Sequence, residues 1–232
     1  MWSTTGVKNK FMQVTAADST TVGLTATTAG SFIAVASAVY SAGGVSTLAV
    51  SDGVNGAYTQ SFYQNNGVDA GCGLHFFPNN AGGSLTITVN PSGSSAVISV
   101  AAHEFLGGTL ASGSPSSQSS AGTTLTPNAI SPPDNDVLVL AAVQVSQGSG
   151  TITENAGSEG FTLSNDQETS LISSFVYKII SGAPGSVVHT WSFSPSSGYS
   201  AGIAAFKPTA VVGWGGLLAH KSNRLVVPLA PT

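Results

Sequence analysis

The chain carries the same ordered set of segments twice, over 32–106 and 137–207. Each copy opens on an apolar run, Phe32-Ile33-Ala34-Val35-Ala36 in the first and Val137-Leu138-Val139-Leu140-Ala141 in the second. A turn follows, led by an acidic residue and closed by an aromatic one: Asp52 to Tyr58-Thr59, and Glu154 to Phe161-Thr162. Next comes an aromatic strand (His75-Phe76-Phe77; Phe175-Val176-Tyr177), then a small-residue turn at 81–84 or 182–186. An alternating strand breaks at Asn90-Pro91-Ser92-Gly93 or Ser194-Pro195-Ser196-Ser197, and a small apolar strand closes on Phe105 or Phe206. An internal repeat limits the possible folds more than any other feature, because one solution must serve both copies.

The repeat is rich in strand and turn signals. Leu85-Thr86-Ile87-Thr88-Val89 alternates, with Leu85, Ile87 and Val89 directed inward. In His189-Thr190-Trp191-Ser192-Phe193 the inward pair is Trp191 and Phe193, with Trp191 read as core filling rather than a sugar platform. Extra strands at 21–25 and 123–126 precede each copy. Many short strands with no helical period between them predict an all-β fold. The expectation is two tandem antiparallel β-sandwich modules, Ig-like or jelly-roll-like, with an extended C-terminal arm. The predicted divisions are a polar leader at 1–10, repeat 1 at 11–107, a Ser/Gly-rich linker at 108–122, repeat 2 at 123–208 and the arm at 209–232. Composition makes 108–122 a flexible connector in isolation, and leaves open whether the copies pack together or swing apart. Small residues in the closing strands would let sheets or modules approach closely.

Only 7% of the residues are charged, against roughly 25% in ordinary globular proteins, while 41% are hydrophobic. Surface polarity must therefore come from Ser, Thr, Asn, Gln and Gly. No Lys or Arg lies between Lys10 and Lys178. The net charge of -4 leaves no basic stripe for phosphates, so nucleic acid is not an expected partner. No apolar run is long enough to span a bilayer as a helix, and the N-terminus has no charged start followed by an apolar region. The arm contains Val211-Val212-Gly213-Trp214-Gly215-Gly216-Leu217-Leu218, then Lys221, Arg224 and Leu225-Val226-Val227. It is too apolar to stand free in water, so it packs back or docks on another chain. Trp214, Leu217, Leu218, Lys221, Arg224 and Leu225 are the candidate docking residues.

Tests for chemistry give little. Gly198-Tyr199-Ser200-Ala201-Gly202 has the spacing of a serine-hydrolase elbow, but the residues after it read as a strand rather than a helix. Cys72 and His75 form half a zinc site at most. The lone Cys72 reads as a small buried residue. His103-Glu104 reads as an edge or loop pair in contact with solvent. Asp134-Asn135-Asp136 offers oxygens to a calcium ion, though a turn before a strand is its ordinary meaning; whether Asp134 and Asp136 bind calcium stays open. No catalytic residue, cofactor or metal ligand is assigned, and an enzyme is not expected.

These residues carry a resemblance. The run Thr28-Ala29-Gly30 before an apolar strand, the turn Ser51-Asp52-Gly53-Val54-Asn55-Gly56-Ala57-Tyr58-Thr59-Gln60, the stretch 81–89 and the closing Glu104-Phe105 resemble tandem β-sandwich modules of tailed-phage structural proteins and bacterial surface or secreted proteins. The resemblance covers roughly 20–208 and transfers no catalytic residue. It implies sandwich folds with extracellular or virion use; together with the apolar and basic ends, the expectation is a non-enzymatic virion component (capsid decoration, head fibre or tail) that docks through its terminal segments on other virion proteins or copies of itself. The alternative is a carbohydrate-binding or adhesin module on a phage or bacterial surface, which would meet a host glycan through Tyr58, Tyr63 and Tyr199. The expected location is the virion, or the cell surface on the alternative.

Overall fold

A computed structural model describes residues 1–4, 8–42, 44–67, 69–92, 96–145, 150–154, 156–167 and 171–208. The six arm residues named for docking lie outside them.

The chain is all-β, with one helical turn, Ala156–Glu159, among the described residues. In chain order the strands are β1 (Asn9–Ala17), β2 (Thr20–Thr27), β3 (Phe32–Tyr40), β4 (Leu48–Asp52), β5 (Gly56–Ala57), β6 (Thr59–Asn65), β7 (Ala70–Phe77) and β8 (Gly83–Pro91). They continue with β9 (Ala96–Phe105), β10 (Gly108–Ala111), β11 (Ser116–Leu125), β12 (Val137–Val145), β13 (Thr151–Glu154), β14 (Thr162–Gln167), β15 (Ile172–Ile180) and β16 (Trp191–Pro208). The first sheet has the order β1-β9-β3-β7-β6 and the second β2-β8-β4-β5. The third is β10-β16-β12-β15-β14, with β11 and β13 also on β16. Every pairing named is antiparallel.

Strand alternation sends successive side chains to opposite faces, and both faces of the first sheet are buried. Ile33, Val35, Val39, Ile98 and Val100 meet Val22, Leu24, Leu85, Ile87 and Val89 of the second sheet. On the opposite face, Phe32, Ala34, Leu74, Phe76 and Phe105 meet Leu138, Leu140, Phe175, Ala204 and Phe206 of the third. The far face of the third sheet (Val137, Val139, Ala141, Ile203) packs with Ile152, Phe161, Trp191 and Phe193. Strands buried on two faces read as continuous apolar runs, which is why 32–36 and 137–141 lack alternation.

Phe32 pairs with Phe105, and Leu138 pairs with Phe206. The two apolar runs are therefore equivalent with Phe32 matched to Leu138, one residue away from a match of their first residues. A one-residue slip would turn every side chain to the other face. Phe206 lies 4.9 Å from Phe32 and 5.0 Å from Phe76 between ring centroids. Along one flank β16 and β11 lie close against β6 and β7, and a Cβ on Gly202 would run into the Phe62 ring. Small residues in the closing strand thus set this close approach.

Three sequence expectations differ from the structure. Segment 108–122, composed like a linker, supplies β10 and most of β11, both paired with β16. Ser and Gly make a usable strand when a long partner satisfies their backbone groups. The polar leader buries its one aromatic: Trp2 is 4% exposed and packs edge-on to Phe32 at 5.4 Å. His103 and Glu104 are both buried, because β9 is covered on both faces rather than lying at an edge.

Candidate functional site

The named residues are mostly consumed by the fold. The Tyr58 hydroxyl donates to Asp52 Oδ2 at 2.7 Å, that of Tyr63 to the Val45 carbonyl at 2.6 Å, and that of Tyr199 to the Thr124 carbonyl at 2.7 Å. Burial pushes the Tyr63 phenol up to about 12. Tyr58 and Tyr199 are buried and Tyr63 is half-buried, so the three do not form a common aromatic platform. Asp52 anchors its turn: Oδ1 accepts from the Val54 and Asn55 amides at 2.7 and 2.6 Å, and Oδ2 also accepts from Asn55 Nδ2 at 2.9 Å. Burial raises its pKa, but these bonds outweigh burial and hold the carboxyl below its ordinary value.

Cys72 and His75 are three apart on β7, so they face opposite sides of the sheet. Cys72 lies in the cluster shared with the third sheet, and burial pushes its thiol up. His75 Nε2 contacts the Leu48 carbonyl at 3.2 Å on the other side. The spacing cannot chelate one ion. Asp134 is engaged by Lys207 Nζ at 3.0 Å and Ser112 Oγ at 2.9 Å, and Asp136 Oδ1 accepts from the Gly182 amide at 2.9 Å. No group of three potential metal ligands occurs among the described residues. Ser200 is buried within β16, on a strand rather than a strand-to-helix turn.

A cleft between the first and third sheets opens beside Phe11 and Asn165, on the flank away from Gly202, and reaches Ser37, Cys72, Ser99 and Ser173. Ser99 and Ser173 share a hydroxyl hydrogen bond of 2.9 Å across the sheets. Ser37 lines the cleft by its backbone, since its side chain shares the opposite face with Val35 and Val39, and its Oγ has no partner among the described residues. The interior admits little more than a water molecule. Near its mouth His103 Nδ1 lies 2.9 Å from Ser164 Oγ, with the ring stacked on Phe105 at 4.2 Å. Burial lowers this histidine to about 4, with Glu104 opposing. Glu104 points to the opposite face and accepts from the Lys8 and Thr28 amides at 3.2 and 2.6 Å. It therefore does not orient His103 as the acid of a triad would.

Two acidic groups stand out: Glu154, which the sequence marks only as the leader of a turn, and Glu159, which it does not mark. Glu154 takes a hydrogen bond from Ser174. Burial raises it to about 7, with Asp166 adding to the rise. Glu159 Oε2 lies 2.6 Å from His189 Nδ1, and burial lowers the histidine against that carboxylate's pull. Neither contact follows from local spacing, since each joins segments far apart in sequence.

The sheet edges are the remaining surface. Register shifts occur in the pairings of β1, β2, β6, β10, β11 and β14, all strands at a sheet margin. The inner pairings β3–β7, β3–β9, β12–β15 and β12–β16 have none. The other marginal strands, β5 and β13, are two and four residues long. Bulged or very short edges resist addition of a further strand.

Family models, curated proteins and solved structures were searched, and none matches this chain. No helix among the described residues is long and apolar enough to cross a membrane.

Proposed function

We propose that this chain is a non-enzymatic structural component of a tailed-phage particle, a capsid decoration, head-fibre or tail protein that docks through its terminal segments. Its body is read as two tandem β-sandwich modules, with 108–122 belonging to the second. The observation that carries the reading is the shared strand order of the first and third sheets, β1-β9-β3-β7-β6 against β10-β16-β12-β15-β14, joined through one apolar core. Two like units fixed face to face make a rigid spacer. The internal use of the tyrosine hydroxyls and the narrow cleft favour passive display over catalysis or glycan capture. The guarded edges favour attachment through ends rather than strand addition. The test is peptide mass spectrometry on density-gradient-purified particles from producing cells. The reading expects the chain in the particle fraction at fixed stoichiometry to the major capsid protein; a chain found only in the soluble fraction would sink it.

A further inference from the structure

Strand registers place the charged residues along the length of the body. Phe32, Phe105, Leu138 and Phe206 mark one end; Tyr40, Val97 and Val145 mark the other. Every lysine among the described residues lies towards the Phe206 end. Lys8 is level with Glu104, Lys10 pairs with Ala102, Lys178 with Val139, and Lys207 follows Phe206. The ion pairs Lys207–Asp134 and His189–Glu159 involve that half. The far half carries carboxylates. Asp18 follows Ala17, which pairs with Ala96; Asp69 accepts from the Ser41 amide through its carbonyl; Asp166 pairs with Ser174, level with Val143. Glu154 reaches the same level through Ser174. The described residues place no lysine or arginine there; Asp69 accepts from Asn66 Nδ2 and Glu154 from the Ser174 hydroxyl, both neutral donors.

Segment 209–232 follows Pro208 at the opposite end. It carries Lys221 and Arg224, no Asp or Glu, and the apolar Trp214, Leu217 and Leu218. The acidic end also has a small apolar cluster, Ala38, Val97 and Leu171, with half-buried Tyr40 against it. A groove beside it is lined by Val45, Asn65, Asp69 and Ser92.

We infer that the acidic end of one copy receives the C-terminal arm of a second copy, giving head-to-tail assembly. This rests on the docking role proposed above and names its partner. The same copy is a poor donor. Pro208 to Trp214 spans at most about 22 Å, while a body strand of 9 residues is about 30 Å long at about 3.3 Å per residue. Trp214 therefore falls short of the acidic end of its own body. A second copy presents its arm directly, and a heterologous contact of this kind closes into rings or extends as filaments.

The test is light scattering with sedimentation velocity on the full chain, from 1 to 100 µM (about the working range for contacts of this class), at low and high salt. Concentration-dependent oligomers are expected at low salt, dissociating at high salt. Truncation after Pro208 should abolish them. The triple variant Asp18→Asn, Asp69→Asn, Asp166→Asn should weaken association roughly tenfold or more, with melting temperature as the control for folding. Monomers throughout, oligomers indifferent to the three charges, or a monomer whose hydrodynamic radius grows on charge removal (the arm on its own body) would each overturn the inference. Those outcomes leave the particle-fraction test untouched, so the two readings fail separately.

Discussion

Asp52 carries the turn after β4. Its two oxygens accept four hydrogen bonds, from Val54, Asn55 twice and Tyr58. Asp52→Ala leaves the buried Tyr58 hydroxyl and two amides without acceptors, and each lost partner costs about 1–3 kcal/mol. A destabilisation of about 3 kcal/mol or more in urea unfolding is expected; a loss below about 1 kcal/mol would mean that water replaces the carboxylate. Sequence alone marked Asp52 as the leader of a repeated turn, and that turn proved locally self-sufficient. Glu154 leads the equivalent turn but bonds Ser174 on β15, a long-range contact that spacing could not show. Its carboxyl is raised from 4.5 to about 7, so its contribution is full below the lower value and is lost as pH rises through the upper. His75 and His103 are lowered from 6.5 to about 4, so theirs is present above pH 6.5 and lost as pH falls through 4. Melting temperatures should therefore fall on both sides of mildly acidic pH. Glu154→Gln should flatten the alkaline limb and leave the acid limb alone; an unchanged alkaline limb would refute the assignment.

The apolar runs and alternating strands announced most of the elements, because burial on one or two faces writes itself into the residue pattern. Leu85, Ile87 and Val89 face the core, and Trp191 and Phe193 are buried, as that pattern predicts. Two elements were less legible. Residues 116–122 are all Ser, Gly, Ala or Gln, and their pairing with β16 leaves no apolar trace. The placement of Trp2 depends on Ser3 bridging to Leu106, a contact between chain start and mid-chain. Trp2→Ala should cost about 3 kcal/mol through the cavity left beside Phe32. Gly202 tests sheet spacing from the opposite direction. Gly202→Val pushes into Phe62 and should destabilise by about 1–3 kcal/mol through overpacking. Combining it with Phe62→Ala should recover part of that loss if the close approach of β16 to β6 is its cause; an additive double mutant would place the strain elsewhere.

At the scale of the whole molecule, the distribution of lysine and arginine becomes a prediction about proteolysis. Trypsin has no site between Lys10 and Lys178. Lys178 sits on β15, which is paired on both sides by β12 and β14, and its ammonium donates to the Glu159 carbonyl at 2.7 Å. Lys207 lies near the end of β16, between β10 and β12, in its ion pair with Asp134. Lys10 pairs with Ala102, and the Lys8 carbonyl accepts from the Glu104 amide. A protease needs several residues of unpaired chain, so cutting within the paired strands requires opening them, and its rate follows the opening free energy. Lys221 and Arg224, on the proposed docking arm, are the remaining trypsin sites. Native digestion followed by intact mass should therefore trim the chain first to Arg224 or Lys221, and leave 11–207 whole on a timescale set by global unfolding. Early cleavage at Lys178 would show that β14 and β15 open independently of the rest, and would break the claim that the two like-ordered sheets form one rigid body. Head-to-tail association adds a further expectation at the same scale. At low salt and high concentration the cuts at Lys221 and Arg224 should slow, because the arm is then held on the neighbouring copy, while 11–207 stays unchanged.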